Sequence, residues 1–376
     1  MPIVPTSRPR WLRLQAVFCS ALALAGLLCV APASVQAQSG GTLTPSKRAV
    51  SPASAPTTGS YAGHGPAMAF AQDMAQRNGW PADWAQNWVG QAQRNPTVLR
   101  LMAPTPTGVP RNWEAYRDRF IEPVRTQAGL RFWQDHAATL QRAEAEFGVP
   151  AWLIVGIIGV ETLYGQHTGR FRVLDALTTL AFDFPPEHPR AEARAAFFRG
   201  ELEALLTLSR KEGVAPDTWL GSFAGAMGLP QFMPSNIGKF GVDFDADGHI
   251  DLRNSPADAI GSVARYLQGF GWQAGMQTHF PVAFDAGRVQ LATLMGPDIL
   301  PTFTAQQMQE LGAVLPPEYA NHSGKLALVE LENGPRPRSY VVGTENFYVI
   351  TRYNQSSYYA MAVIELGRAV EALMRR

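Results

Sequence analysis

The chain has 376 residues, of which 46% are hydrophobic and 17% are charged, and its formal net charge is +1. This composition is typical of a globular protein with a substantial core, and the near-neutral charge argues against a nucleic-acid-binding protein. Its two cysteines, Cys19 and Cys29, both lie in the first 37 residues. The rest of the chain therefore excludes disulfides, thiolate metal sites and cysteine nucleophiles.

The first 37 residues have the pattern of a secretory signal peptide. Arg8, Arg10 and Arg13 precede an uncharged run over residues 16–30, and residues 35–37 provide a cleavage position. The run is short for a membrane span, so we expect a cleaved signal and a periplasmic protein; the alternative is an uncleaved membrane anchor. Cleavage removes three of the 32 basic residues and none of the 31 acidic ones, which leaves a formal charge of −2.

Residues 38–65 consist mainly of Ser, Pro, Thr, Ala and Gly, which predicts a disordered linker. The folded body is expected over residues 66–376. Helical patterns begin near Pro66 and continue at residues 112–120, 129–147, 150–165, 174–182, 190–213, 258–270 and 358–374. Three short segments late in the chain are rich in strand-forming residues and are separated by turn residues: 325–331, 338–342 and 347–351.

Glu161 is the one ionisable residue in the apolar segment 149–165. A carboxylate among aliphatic side chains loses hydration, so it needs a partner or takes up a proton. A Glu with a raised pKa is suited to donating a proton at neutral pH, as the acid in glycoside cleavage must. The alternative is a Glu at a helix end that reaches water or an arginine.

Residues 243–251 match the first nine positions of an EF-hand loop. Asp243, Asp245 and Asp247 supply hard oxygen ligands from alternate positions, and Gly248 permits the sharp turn. The carbonyl of His249 would be the fourth donor. Three aspartates at this spacing predict a calcium site, and the alternative is a solvated acidic turn.

The end of this loop departs from the EF-hand pattern. Position 12 is Asn254 instead of the bidentate Glu, and Asp258 lies just beyond it. Either residue can close the loop. We expect a structural Ca²⁺ site and no calcium switch, because the sequence shows neither a second EF-hand nor a target groove.

Several segments together resemble the membrane-bound lytic murein transglycosylase B family. They occur in the family's order and are GVETLYG at 159–165, SFAGAMG at 222–228, QFMPS at 231–235, DAIGSVA at 258–264, and TRYN at 351–354 followed by YYAMAV at 358–363. The combination extends from about residue 66 to the C-terminus and is far more specific than any one segment.

The resemblance implies a mainly α (α+β) fold: a lysozyme-like helical core with an added helical domain, a small antiparallel β domain and the EF-hand-like loop. The helical part would cover residues 66–145, the core with its loop 146–275, the β part 325–352 and a C-terminal helix 357–375. The implied activity is that of a lyase in cell-wall turnover. It cleaves the β-1,4 bond between N-acetylmuramic acid and N-acetylglucosamine in peptidoglycan, without water, and leaves 1,6-anhydro ends.

The resemblance also implies the site residues. Glu161 would be the single catalytic residue, Ser222 a hydrogen-bonding residue beside it, Gln231 a sugar-binding amide and Asn354 a contact to the reacting sugar. Aromatic walls of the glycan groove would be Phe232, Tyr116, Tyr266, Tyr353 and Tyr359, and Arg194 would be one of an arginine pair. The sequence departs from the family at Ala193, in place of the second arginine, and at Phe197, in place of a tyrosine.

A one-carboxylate mechanism agrees with the residues themselves. Ordinary glycosidases use two carboxyl groups, and the acids nearest to Glu161 in sequence are Glu146 and Asp175, neither obviously on its face. Glu161 would then act as acid and later as base, while the substrate's N-acetyl carbonyl stabilises the cation. We expect peptidoglycan strands as the partner, with cell-wall synthesis or division machinery as a further candidate, a monomer, and no organic cofactor.

Two other functions remain open from the sequence. One is a hydrolytic muramidase of the same fold, in which water intercepts the intermediate. The other is a peptidoglycan-binding protein without activity, against which the presence of Glu161 argues.

Overall fold

The computed structural model describes residues 59–103 and 111–376, so the predicted signal peptide and most of the predicted linker lie outside the described residues. The helices are α1 (Gly65–Asn78), α2 (Ala82–Gln91), α3 (Pro96–Met102), α4 (Trp113–Arg117), α5 (Pro123–Asp135), α6 (Ala137–Phe147), α7 (Ala151–Thr162), α8 (Val173–Phe182), α9 (Ala191–Glu212), α10 (Pro234–Phe240), α11 (Pro256–Gly269), α12 (Leu291–Met295), α13 (Ala305–Glu310), α14 (Glu345–Thr351) and α15 (Ser357–Met374). The strands are β1 (Phe171–Arg172), β2 (Leu220–Gly221), β3 (His279–Pro281), β4 (Ala283–Phe284), β5 (Ala313–Val314), β6 (Ala327–Asn333) and β7 (Arg336–Gly343). The expected mainly helical class with small antiparallel sheets is confirmed.

The described residues divide into two compact units. One comprises residues 59–103 and 161–263 and is called the Glu161 unit. The other comprises residues 111–160 and 264–376 and is called the Asn354 unit.

In the Glu161 unit, helix packing forms the core. Helix α8 packs on α9, α1 on α2, and α10 on α9. The inward faces are aliphatic, and fully buried examples are Leu174, Leu177, Leu202, Leu205 and Leu206. The β1–β2 pair is antiparallel, with Phe171 opposite Gly221.

The first described residues belong to this unit and correct the predicted end of the linker. Residues 59–64 form a turn in which Tyr61 is only 2% exposed. The Tyr61 hydroxyl donates to the carboxylate of Asp183, and burial raises its pKa. The linker therefore cannot extend to residue 65, because a single buried tyrosine fixes its last residues to the helical body.

In the Asn354 unit, α15 packs against α4, α5, α14 and β6. Strands β3, β7 and β6 form an antiparallel sheet in that order, with Phe280 opposite Val342 and Val342 opposite Leu328. These three side chains join Leu294, Met308 and Leu326 in a separate hydrophobic cluster.

Helix α7 is buried on every side over residues 151–160. A Cβ atom added to Gly156 would lie 2.3 Å from the carbonyl oxygen of Val363, and one added to Gly367 would lie 2.1 Å from that of Trp152. Glycine at these two positions thus permits the backbones of α7 and α15 to touch. Arg125 on α5 donates to the Gly159 carbonyl near the end of α7.

Two predicted elements were wrong. Residues 347–351 were predicted as a strand but lie in helix α14, because Thr344 caps the Asn346 amide at 3.1 Å and the branched residues then face the core. Residues 129–147 were predicted as one helix but are divided between α5 and α6. The division falls at His136, whose φ of −120° is not helical and which no Gly or Pro marks in the sequence.

Among the described residues, no single helix has the length and apolar character needed to cross a membrane. Helices α6 and α7 would meet those two criteria only as a pair, and they are bent by 115°.

Candidate active site and metal loop

Glu161 is the penultimate residue of α7 and is half-buried. The ten residues that precede it in the helix are all buried, and Thr162 and Leu163 that follow it are buried as well. The helix therefore ends with one carboxyl group at the edge of an apolar core. This arrangement agrees with the environment expected from the sequence.

Ser222 lies in a tight turn of the same unit. Its Oγ accepts hydrogen bonds from the amides of Ala224, at 3.3 Å, and Ala226, at 3.0 Å, and its amide donates to the Ala226 carbonyl at 2.8 Å. Because a hydroxyl also carries one proton, Ser222 can still donate to a third group. The turn thus fixes the position of the Ser222 oxygen.

Gln231 and Phe232 follow in a short hairpin in which the backbones of Met227 and Phe232 pair at 2.8 and 3.0 Å. Gln231 has a left-handed φ of 52°, and its Nε2 donates to the Gly228 carbonyl at 2.9 Å and the Thr168 carbonyl at 3.2 Å. Phe232 is 1% exposed, so it offers no open aromatic face in this structure.

Glu201 on α9 supports the segment that follows this hairpin. It is 4% exposed, and its carboxyl oxygens accept from the Ser235 amide at 2.9 Å and the Ser235 hydroxyl at 2.6 Å. Burial raises the pKa of Glu201, although the bonds from Ser235 act in the opposite direction. A buried carboxyl group thus fixes the start of α10.

Arg194 on α9 is half-buried and lies 6.0 Å from the ring of Phe184. One of its terminal nitrogens contacts the sulfur of Met102 at 3.7 Å. Burial, and secondarily the charge of Arg190, lowers its pKa. The neighbouring Ala193 is exposed, so the arginine pair implied by the family is reduced to one cation here.

In the Asn354 unit the predicted tyrosines form two groups. Tyr266 and Tyr353 have ring centroids 4.8 Å apart, Tyr353 stacks on Tyr359 at 6.3 Å, and the Tyr266 hydroxyl donates to the Arg352 carbonyl at 2.7 Å. Tyr116 belongs to a different cluster. Its neighbours are Trp113, Phe120 and Tyr358. Tyr266, Tyr353 and Tyr359 are buried, whereas Tyr116 is half-buried.

Asn354 is 4% exposed, and its Oδ1 has no hydrogen-bond partner in the structure. Leaving a buried acceptor unpaired costs about 1–3 kcal/mol, so native proteins rarely do it without a reason. A donor on a ligand is one such reason. The structure thus identifies the Oδ1 atom of Asn354 as a buried acceptor without a partner, which could not be known from the sequence.

Three of the predicted metal ligands lie close together at the EF-hand-like loop 243–251 and the Asp258 that follows it, together called the acidic loop. Carboxylate oxygens of Asp243, Asp245 and Asp258 lie within 4.8 Å of one another. Asp243 also accepts from the amides of Asp247, at 3.1 Å, and Gly248, at 2.9 Å. The side chain of Asp247 accepts from the His249 amide at 2.8 Å and is not in the group of three.

Between the two candidates for closing the loop, the geometry favours Asp258. Asp258 is 1% exposed and accepts from the amides of Phe244, at 2.7 Å, and Asp251, at 2.8 Å. The Nδ2 atom of Asn254 instead donates to Asp251 at 2.8 Å. Asn254 is therefore engaged within the turn, and Asp258 is the candidate whose carboxylate lies near those of Asp243 and Asp245.

These residues fit a hard divalent cation. Burial raises the pKa of Asp258, and the charge of Asp245 adds to the effect. Three carboxylates held close together repel one another, and a bound cation offsets that repulsion. Oxygen donors of this kind suit calcium. Asp243, Asp245 and Asp258 would hold it, with Asp247 and the His249 carbonyl as the further predicted ligands.

A family comparison decides the classification. Residues 64–368 match the family model described as the transglycosylase SLT domain. The chain is also 41% identical over 323 residues to membrane-bound lytic murein transglycosylase B of Escherichia coli K12, covering 83% of this chain and 84% of the relative. The chain belongs to the lytic murein transglycosylase B family. The resemblance stated from the sequence is confirmed.

Solved structures of lytic transglycosylases agree with this assignment. The Escherichia coli lytic transglycosylase Slt35 in complex with calcium matches with a TM-score of 0.73 and 39% identity, covering 85% of this chain and 96% of that one. SltB3 of Pseudomonas aeruginosa in complex with NAG-anhNAM-pentapeptide matches with a TM-score of 0.68 and 31% identity, covering 81% and 78%. This family member thus has the fold of both.

Two contacts of this transglycosylase were not predicted from its sequence. Thr162, beside Glu161, donates its hydroxyl proton to the Leu229 carbonyl at 2.9 Å, and Glu201 binds Ser235. Thr162 lies in the family-like segment 159–165, but its partner Leu229 lies far along the chain. Glu201 stood in an ordinary helical pattern. No local signal identifies either contact.

Proposed function

We propose that this lytic transglycosylase cleaves the β-1,4 bond between N-acetylmuramic acid and N-acetylglucosamine in peptidoglycan, without water, and forms 1,6-anhydro ends. Glu161 would be its single acid and base. The observation that carries the proposal is the position of Glu161, the one ionisable residue of α7, at the end of this buried helix. The apolar neighbours and the negative end of the helix dipole both favour a protonated carboxyl group at this place.

The proposed reaction has two steps. In the first, protonated Glu161 donates its proton to the glycosidic oxygen, the bond from that oxygen to C1 breaks, and the carbonyl oxygen of the muramoyl N-acetyl group stabilises C1. In the second, the Glu161 carboxylate removes the proton of the C6 hydroxyl, whose oxygen bonds to C1. Glu161 is again protonated, and no water is consumed.

The two acids nearest in sequence have other roles, which supports a mechanism with one carboxyl group. Asp175 accepts from Arg172 at 2.7 and 2.8 Å and from the Gln93 amide at 2.8 Å. Glu146 lies 3.6 Å from Arg142 and is half-exposed. An ordinary glycosidase would need a second carboxyl group as nucleophile or base, and these two are occupied with other contacts.

The remaining predicted residues would bind the glycan. Ser222 would donate its hydroxyl proton near Glu161 and the N-acetyl group, Gln231 would contact a sugar, and the unpaired Oδ1 of Asn354 would accept from the reacting sugar. Arg194 would bind an anionic part of the substrate. Tyr116 is the most exposed of the five aromatic residues proposed as groove walls. It is therefore the best supported of them, because a sugar needs an accessible ring face.

The metal and the cellular location complete the proposal. Calcium would be a structural ion in the acidic loop, as the calcium complex of the Slt35 relative and the cluster of Asp243, Asp245 and Asp258 support. The chain would be exported to the periplasm and act there on glycan strands. The predicted signal peptide supports this location, although the Escherichia coli relative is named as membrane-bound.

The test is the identity of the products. The purified chain, its Glu161→Gln variant and a matched Glu146→Gln variant are incubated with peptidoglycan, and the released muropeptides are weighed. We expect anhydro products from the wild type and from Glu146→Gln, and about 1,000-fold less release from Glu161→Gln. Products heavier by one water would identify a hydrolytic muramidase. Absence of release by the wild type would leave only a binding function.

A further inference from the structure

The turn that follows Glu161 has an unusual backbone. Leu163, Tyr164 and Gly165 have successive φ values of 51°, 56° and 90°, all in the left-handed region. Helices commonly end with one such residue, which is usually glycine. Two consecutive non-glycine residues in this region cost free energy, and they persist only where the surroundings fix them.

Thr162 supplies the contacts that fix this turn. Its side chain is buried, and its Oγ1 accepts from the Gly165 amide at 3.0 Å while its proton goes to the Leu229 carbonyl at 2.9 Å. Its own carbonyl accepts from the His167 amide at 2.9 Å. One hydroxyl therefore closes the turn and joins it to a segment distant in sequence.

The Leu229 peptide is itself held from the other side. Its amide donates to the Leu252 carbonyl at 2.8 Å. Gly228 has a φ of 72°, and a Cβ atom there would lie 2.4 Å from the same Leu252 oxygen. In addition, Gln231 donates to the Thr168 carbonyl at 3.2 Å. Leu229 is thus a fixed anchor for the turn.

We propose that Thr162 is a positioning residue, which sets the direction of the Glu161 carboxyl group by joining the turn 163–165 to Leu229. The inference rests on the proposed function of Glu161. Glu161 is the penultimate residue of α7, so its backbone is joined directly to the residue whose hydroxyl bonds Leu229 and Gly165. Removal of the Thr162 hydroxyl would free the turn 163–165 to move, while the Glu161 side chain stays in the protein.

The expected consequence is a loss of turnover more than of binding. A misplacement of about 1 Å can reduce a rate about 100-fold. Thr162→Val keeps the shape and removes the hydroxyl, and we expect kcat on soluble glycan fragments to fall about 10- to 100-fold. We expect KM to change less than about threefold, because the residues that bind the glycan are intact.

Two variants separate positioning from general stability. Thr162→Ser keeps the hydroxyl, and we expect it to retain kcat within about threefold of the wild type. Thr178→Val is the matched control: Thr178 is also fully buried in the Glu161 unit, but its hydroxyl bonds only the Leu174 carbonyl of its own helix, at 2.7 Å. We expect it to lower the melting temperature and leave kcat unchanged.

Hydrogen exchange provides a readout that does not depend on activity. We expect the amides of residues 163–167 to exchange faster in Thr162→Val than in Thr162→Ser, with Thr178→Val like the wild type. If Thr162→Val does not fold, Thr162→Ala replaces it, because it removes the hydroxyl and both of its bonds with a smaller side chain.

Equal kcat per folded molecule in Thr162→Val and the wild type, unchanged exchange at residues 163–167, or equal losses in Thr162→Val and Thr162→Ser would each overturn the proposal. A failure of the proposed function looks different: the wild type itself releases no anhydro product. In that case the exchange comparison still tests the link between Thr162 and the turn.

Discussion

Two turns of the Glu161 unit use left-handed residues for different purposes. In the acidic loop, Ala246 and Gly248 have φ values of 62° and 94°, and the bonds that shape the loop come from its own aspartates. In the turn after Glu161, Leu163 and Tyr164 are left-handed, and the deciding bond reaches the Leu229 carbonyl. One turn is held by near neighbours and the other by a partner 67 residues away.

This difference separates two kinds of function. The acidic loop needs only the correct side chains at alternate positions, because a cation gathers the carboxylates around itself. The turn after Glu161 must place a proton donor accurately before any substrate arrives, so its geometry depends on the packed body of the unit. We therefore expect changes at the loop to affect stability alone. Loss of the Thr162 bond should affect rate, and disturbance of its anchor at Leu229 should lower stability as well.

The largest expected effect is on rate. Glu161→Gln should reduce the release of muropeptides about 1,000-fold, since general acid–base groups typically contribute 10²–10⁴-fold. The rise in melting temperature on adding calcium should remain as in the wild type, because the loop is unchanged. Loss of that calcium response in Glu161→Gln would show that the two regions are not separable.

A large loss of stability is expected when the anchor of the turn is disturbed. Gly228→Ala forces a left-handed alanine against the Leu252 oxygen, and the free energy of unfolding should fall by about 2–4 kcal/mol. Gly238→Ala is the matched control, because Gly238 lies within α10 with nothing within 4 Å of an added Cβ. Denaturant titration of both variants checks this; equal stabilities would mean that the anchor is not rigid.

The acidic loop gives a smaller effect of a different kind. When calcium is added to the metal-free wild type at a hundredfold excess over its Kd, the free energy of unfolding should rise by about 2.7 kcal/mol. Asp258→Asn should remove most of this gain, whereas Asp83→Asn, at an exposed aspartate of α2, should keep it. Thermal unfolding with and without calcium measures the difference. A full calcium response in Asp258→Asn would exclude Asp258 from the ligand set.

The smallest expected effect is on the pH dependence of stability, through Glu201 beside the hairpin that carries Leu229. Burial raises its pKa in the folded state, so the folded chain keeps a proton that the unfolded chain has already released. The contribution of Glu201 to stability is therefore greatest below the unfolded pKa and is lost as the pH rises through the folded pKa.

Urea titrations between pH 4 and 8 test this sign. The free energy of unfolding of the wild type, relative to Glu201→Gln, should fall as the pH rises. Glu187→Gln, at an exposed glutamate, should follow the wild type. A difference that grows with pH would mean that the Ser235 bonds, and not burial, dominate at Glu201.

Features that depend on local spacing were predictable from the sequence. The family blocks, the apolar helix with Glu161 and the aspartates of the loop all follow from residues close together in the chain. Helix α8 was predicted as residues 174–182 and occupies Val173–Phe182, and α15 was predicted as 358–374 and occupies Ser357–Met374. The boundaries are close because side-chain periodicity is itself local.

Features that depend on distant partners were not predictable. The Thr344 cap and the burial of Asn346 turn a β-rich segment into α14, and Asn346 bonds the carbonyls of Gln273, at 2.7 Å, and Met276, at 2.9 Å. The pairing of β3 with β7 was likewise absent from the sequence pattern. Thr162 and Leu229 belong to the same class, because nothing near either residue indicates the other.

The most direct test of the central claim is digestion of peptidoglycan in water enriched in oxygen-18. If Glu161 directs the C6 hydroxyl to C1, the released muramic ends carry no heavy oxygen and have the mass of anhydro products. One heavy oxygen incorporated for each bond cleaved would contradict the account, because water would then be the acceptor.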